Sequence, residues 1–178
     1  MATPASRPAG PELVEAGFAR RAPAFALRRA GPDDADFLFA LFAEVQPPPQ
    51  LPAPLLRLQF DSQSSAYAQT GAVHWIVLNG DRPIGRFMLD FGPADRVHGV
   101  DLAVLPGERA GAAGLHLLRA WTAACDRLGL DATLSVAPAN PARLIYRRLG
   151  FTETDLYTAP IPMRRSTRKC RNRSTFER

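Results

Sequence analysis

At 178 residues and 46% apolar content, the chain is long enough for one domain with a real core. It has no run of about 18 apolar residues of the kind a membrane-spanning helix needs. The net charge of +5 is uneven: residues 164–178 hold seven Arg/Lys and one acid, so the rest is near neutral and the pI of about 10.0 belongs to the chain end.

Residues 1–23 are rich in Ala, Pro and Gly and read as a flexible N-terminal extension, without the basic start and continuous apolar stretch of a secretory signal. Residues 24–163 form the expected domain, and residues 164–178 a basic, disordered tail. Such a tail suits RNA, DNA or an acidic partner, but no interleaved aromatic residues and no zinc spacing accompany it, so a solvated end is preferred over a nucleic-acid site. Two cysteines, Cys125 and Cys170, give neither a disulfide framework nor a metal set, and a reducing, cytoplasmic setting is expected.

Residues 25–30 alternate as a first strand, and Pro32-Asp33-Asp34 opens a helix with acids in its first turn. Phe37, Leu38, Leu41, Phe42 and Val45 supply that helix with an apolar face, and Glu44 and Gln46 close it. Residues 46–54 contain five prolines and break any helix. Residues 55–68 read as a second helix, with Leu55, Leu58 and Phe60 as contacts. Gln59, Asp61, Gln63, Tyr67 and Gln69 make this loop and helix a candidate acceptor-recognition element.

Residues 72–78, 83–91 and 97–105 form an antiparallel meander, with turns at Asn79-Gly80-Asp81 and Gly92-Pro93-Ala94-Asp95. Residues 108–128 are the longest helix, with Ala113, Leu117, Trp121, Ala124 and Leu128 on one face and Gly129 as its stop. Residues 132–137 are a short strand, and residues 151–163 hold the last one or two strands.

Two segments carry chemistry. In Val104-Leu-Pro-Gly-Glu-Arg-Ala-Gly-Ala-Ala-Gly114 a strand leads into the long helix through small residues. Such residues let backbone N–H groups approach phosphates, the helix N-terminus adds positive potential, and Arg109 adds a full charge. In Asn140-Pro-Ala-Arg-Leu-Ile-Tyr-Arg-Arg-Leu-Gly-Phe151, Asn140 is an N-cap and Pro141 suits the first helical position. Ala142, Ile145, Tyr146 and Leu149 share a face, and Gly150 ends the helix.

Together these segments resemble the GNAT (GCN5-related N-acetyltransferase) superfamily. The first resembles its pyrophosphate motif, [Gln/Arg]-x-x-Gly-x-[Gly/Ala], from Arg109 to Gly114, with Ala112 where the family has its first glycine and Gly111 one residue earlier. The second resembles the Asn-x-x-Ala-x-x-x-Tyr helix that ends in Leu-Gly-Phe. The resemblance is specific over residues 101–151. It implies an α/β fold with a six- to seven-stranded, mostly antiparallel sheet, splayed at its middle and flanked by about four helices. It also implies acetyl-CoA as acyl donor and an amine acceptor entering from the opposite side; the sequence gives no oligomeric state, and a homodimer stays open.

Further site roles follow from the resemblance. Tyr146 protonates the departing thiolate. The amides of Leu102, Ala103 and Val104 hold the pantetheine arm and polarise the carbonyl. Arg109, Ala110, Gly111, Ala112, Ala113 and Gly114 cradle the pyrophosphate, and Asn140 either contacts the cofactor arm or is a plain cap. The general base is open between His98, Asp101 and Asp90. An offset of three puts His98 and Asp101 on opposite faces of a regular strand unless a bulge intervenes. His74, Trp75, Trp121 and Cys125 read as structural, and His116 as a surface residue near the phosphate site. The departure at Ala112 keeps a second reading open, a non-catalytic acyl-CoA sensor or scaffold.

Overall fold

The structure, a computed structural model, describes residues 10–45 and 51–167. In chain order the elements are α1 (Gly10–Arg21), β1 (Phe25–Arg29), α2 (Ala35–Val45), α3 (Ala53–Ala68), β2 (Val73–Asn79), β3 (Arg82–Asp90), β4 (Arg96–Val104), α4 (Ala113–Leu128), β5 (Asp131–Val136), α5 (Arg143–Arg148), β6 (Thr152–Glu153) and β7 (Ile161–Arg165). Short 3-10 turns at Pro32–Asp34 and Pro106–Gly111 lead into α2 and towards α4. No helix among the described residues is long and apolar enough to cross a membrane.

The seven strands form one sheet in the order β1-β2-β3-β4-β5-β7-β6, antiparallel except where β4 meets β5. One face rests on α1 and α4. There Trp75 stacks on Phe87, Phe87 meets Trp121 edge-on, and Trp121 packs on Phe151. Both tryptophans are fully buried, as their place in the sequence pattern suggests. On the other face α2 packs over β3 and β4, and α3 packs on α2 through a smaller cluster of Phe42, Leu56 and Phe60.

Several expectations are corrected. Residues 10–21 are not a flexible extension. They form α1, and Val14 and Phe18 are buried in the main core. Val14, Phe18 and Ala22 recur every four residues, a helical stripe that the Ala/Pro/Gly-rich composition around it conceals. The tail boundary also moves: Arg164 and Arg165 belong to β7, and Thr167 is buried. Arg165 makes a two-pronged ion pair with Asp126 at 2.8 and 2.9 Å and donates to the Leu149 carbonyl. Residues 168–178, with Cys170, lie outside the described residues, as do residues 1–9 and the prolines at 47–49.

The long helix starts at Ala113 and not at residue 108, because Pro106–Gly111 winds as a 3-10 turn and Ala112 takes a left-handed conformation before it. On α3 the inward residues are Leu56 and Phe60, whereas Leu55 and Leu58 face outward at 52% and 66% exposure. Tyr146 on α5 and Leu149 just after it pack on the core as expected, but Ile145 is exposed.

Candidate functional site

The parting of two parallel strands creates the site. Pairing between β4 and β5 runs from Arg96↔Asp131 to Gly99↔Leu134 and ends there. Beyond it, Val100 to Val104 and Ser135 to Val136 diverge. A groove of about 140 Å³ opens between them, lined by Phe87, Asp101, Leu118, Trp121, Asn140 and Tyr146 among others. A Cβ on Gly99 would lie 2.7 Å from the Trp121 ring, so the indole can form the groove floor only beneath a glycine. A larger depression, about 600 Å³, lies elsewhere, between Asp95, Asp131 and Arg164. Arg164 reaches both acids, at 3.7 and 2.6 Å, so those charges already answer one another.

The edge of β4 that faces the opening carries backbone groups. Leu105 donates its N–H to the Ile84 carbonyl on β3. By strand alternation Ala103 also turns to β3, while Leu102 and Val104 turn to the opening. Of the three amides expected to serve the donor, two therefore face it and Ala103 does not.

At the helix start, His116 donates the first intrahelical bond, to the Ala112 carbonyl, so the N–H groups of Ala113, Gly114 and Leu115 precede it. A Cβ on Gly114 would meet only Leu102 and Val104 side chains, both at 3.9 Å, an ordinary contact. Packing does not demand glycine there, whereas close approach of a phosphate would. Gly111 is used differently: a Cβ there would sit 2.9 Å from the Phe25 ring, so it serves packing on β1. Ala110 is exposed, and Ala112 has φ 56° and ψ 16°. The Arg109 Nε bonds back to the Val104 carbonyl at 3.3 Å. Glu108, whose charge would oppose a phosphate, is held by Arg82 and by the Asn79 amide. The sequence pattern did not single out this lock, which joins the loop to the β2–β3 turn.

Tyr146 is half-buried, its ring edge-on to Phe151 at 6.0 Å between centroids. Burial, and then the nearby Asp101 charge, push its phenol up from the usual tyrosine range, so it holds its proton at neutral pH. The Asn140 Oδ1 accepts the Ala142 N–H at 2.9 Å, and the same residue lines the groove. The helix proper begins at Arg143 with Ala142 in the cap position and no side-chain cap bond, so Asn140 shapes the turn ahead of α5 and is not its N-cap.

The sheet bulges where β3 meets β4. Met88 lies opposite Asp101 and Leu89 opposite Gly99, which leaves Val100 as an extra residue. Met88 and Asp90 share a face, so their partners Asp101 and His98 do too. The bulge thus overturns the regular-strand expectation of opposite faces. Even so, the two residues differ in setting. Asp101 reaches the groove and forms an ion pair with Arg86, while the His98 Nδ1 lies 3.0 Å from Thr133 Oγ1, outside the groove. Burial raises the Asp101 carboxyl above the ordinary range, against the pull of Arg86 and of the Leu102 N–H. Burial lowers His98, with Asp90 acting the other way and Arg96 adding to it. The Asp90 Oδ1 accepts the Gly92 N–H at 2.8 Å and caps a turn.

Glu44 is exposed at the end of α2, and Gln46 lies outside the described residues. Asp61 pairs with Arg57, and Gln59 and Gln69 are exposed. Gln63 and Tyr67 turn inward from α3. His116 is half-buried, and its Nδ1 has no partner among the described residues. His74 and Cys125 are structural, with the Cys125 thiol pushed up to about 12 chiefly by burial. Arg86 escaped the sequence reading, although a charge inside the apolar run from Ile84 to Leu89 was a usable signal.

The model of the acetyltransferase (GNAT) family matches residues 36–151. No curated protein matches the chain at a significant level. Among solved structures, the PaiA N-acetyltransferase of Thermoplasma acidophilum in complex with coenzyme A aligns at 14% identity and TM-score 0.60, covering 80% of this chain and 98% of that one. An acetyltransferase of the GNAT family from Staphylococcus aureus aligns at 14% and 0.60, covering 81% and 99%. A spermidine N-acetyltransferase chimera of SpeG from Vibrio cholerae and hSSAT aligns at 18% and 0.60, covering 84% and 99%. At these identities the structural likeness speaks for the fold.

Proposed function

The chain belongs to the acetyltransferase (GNAT) family, and from that premise we propose that it acetylates a primary amine of a small molecule or peptide in the groove where β4 and β5 part. The family is one of acyltransferases that draw on acetyl-CoA. Acetyl-CoA, when bound, supplies the acetyl group as a thioester. The residues suit such a donor: an open amide on β4, free N–H groups at the start of α4, and a glycine at 114 that packing does not require.

The single observation that carries the reading is one groove lined by Asp101 and Tyr146, two groups whose surroundings suit opposite tasks. Asp101 is a carboxyl raised above its ordinary range by burial, which suits a base. Tyr146 is a phenol held in its protonated form, which suits an acid. Asp101 takes the proton that the amine loses as the C–N bond forms. Tyr146 Oη supplies the proton that sulfur gains as the C–S bond breaks. The Val104 amide, turned to the opening, is the donor available to the carbonyl oxygen as it gathers charge. His98, bonded to Thr133 and outside the groove, is the weaker base candidate.

The test is release of free thiol from acetyl-CoA against a panel of primary amines and short peptides. Spermidine belongs in that panel, because a structural neighbour is named for it. Tyr146→Phe is expected to lower turnover roughly 10- to 1,000-fold, and Asp101→Asn comparably, with folding retained. Unchanged turnover removes the substituted residue from the chemistry. The left-handed Ala112 favours one other reading, a donor-binding protein that does not turn over. Acetyl-CoA binding without thiol release across the whole panel would select it.

A further inference from the structure

In the middle of β3, between the buried residues Ile84 and Phe87, stands a cation. The Arg86 side chain is only 6% exposed. A guanidinium cannot shed its proton there, so the protein around it must answer the charge. Among the described residues one acid does so: Asp101, reaching across from β4. From α3, Tyr67 lays its ring 5.3 Å from Arg86 Cζ and covers the pair. The Arg86 Nε is buried without a partner, so the guanidinium has no second anchor of its own among these residues.

Asp101 stands between two environments. Its side chain is 22% exposed and lines the groove, yet its counter-ion lies in the layer beneath α3. The bulge at Val100 makes this geometry, because without it Asp101 would point at the opposite face.

We propose that Arg86 is a positioning residue for acyl transfer, the counter-charge that holds the Asp101 carboxylate at the mouth of the groove. The inference rests on the reading above, in which Asp101 accepts the proton of the amine. Four groups face this pair: Tyr67 from α3, His74 from β2, Tyr146 from α5 and the Leu102 N–H on β4 itself. Of these, His74 is held neutral and the two phenols keep their protons, so Arg86 is the full charge that opposes burial of the carboxylate. Without it, only the Leu102 N–H still opposes desolvation, so the Asp101 carboxyl rises further and less of it stands deprotonated to accept the proton of the amine.

The experiment is a pH titration of the full chain labelled with 13C-aspartate, the Asp101 carboxyl signal being assigned by its loss in Asp101→Asn. Arg86→Gln is expected to raise the Asp101 midpoint by at least about one pH unit, a tenfold weaker acid. Arg86→Lys restores the charge as a shorter point charge and is expected to raise it by less. In parallel, thiol release by Arg86→Gln should recover as pH rises, with the KM for acetyl-CoA unchanged. Should Arg86→Gln fail to fold, Arg86→Lys carries the test, with a smaller shift in the same direction. A midpoint that does not move overturns the inference and leaves the role of Asp101 to the turnover of Asp101→Asn. A midpoint that moves while Asp101→Asn turns over like the parent sinks the base assignment, and the positioning role with it.

Discussion

At Ala112 the backbone takes a left-handed conformation that costs an L-residue about 1–2 kcal/mol. Among the described residues it is the one non-glycine with positive φ, and it sits at the entrance to α4. Ala112→Gly is therefore expected to stabilise the fold by roughly 0.5–1 kcal/mol, after the larger unfolded-state entropy of glycine is allowed for. Urea denaturation reads this directly, and a loss of stability would contradict it. His74 makes a second residue-scale prediction. Burial, and then the Arg86 charge, lower its imidazole from 6.5 to about 4. Above about pH 6.5 it is neutral in both folded and unfolded chains, and its contribution is complete. Between 6.5 and about 4 the unfolded chain takes a proton that the folded one refuses, so stability falls. The fall is at most about 3 kcal/mol. His74→Gln should flatten this part of a stability-against-pH curve, and an unchanged slope would assign the loss to other groups.

At the scale of elements, docking of α1 on α4 is the contact that composition hid. Phe18 is buried beside Trp75, Leu117 and Trp121 in the main core, and Gly17 brings α1 close to Ala120 of α4. Phe18→Ala should cost about 3–5 kcal/mol in chemical denaturation, the usual range for emptying an aromatic site. A change below about 0.5 kcal/mol, ordinary for a surface position, would mean that α1 does not dock. The segment that leads into α4 teaches a related lesson. Its small residues have separate duties: Gly111 packs on Phe25, Ala112 turns the chain, and Gly114 leaves space at the helix start. A motif read as a string credits them all with one role.

For the whole molecule, the separation of β4 from β5 leaves a groove through the middle of the sheet, and a ligand that fills it should tie the two halves together. Acetyl-CoA at about one hundred times its Kd should add about 2.7 kcal/mol. For a chain of this size that raises Tm by roughly 5–10 °C. No shift at millimolar acetyl-CoA would deny the groove its role. The meander, the short helix α5, the burial of Trp75 and Trp121 and the stop at Gly129 were legible in the chain itself. Caps, turns and apolar periods act over a few residues, so their energetics are written where they act. Tertiary structure alone decided that α1 docks, that Val100 bulges, that Asp101 and His98 share a face, and that Arg86 answers Asp101. Each of these depends on which segments, distant in sequence, come to lie side by side. A one-residue change of register between strands turns every side chain beyond it to the other face, and no local pattern encodes that choice.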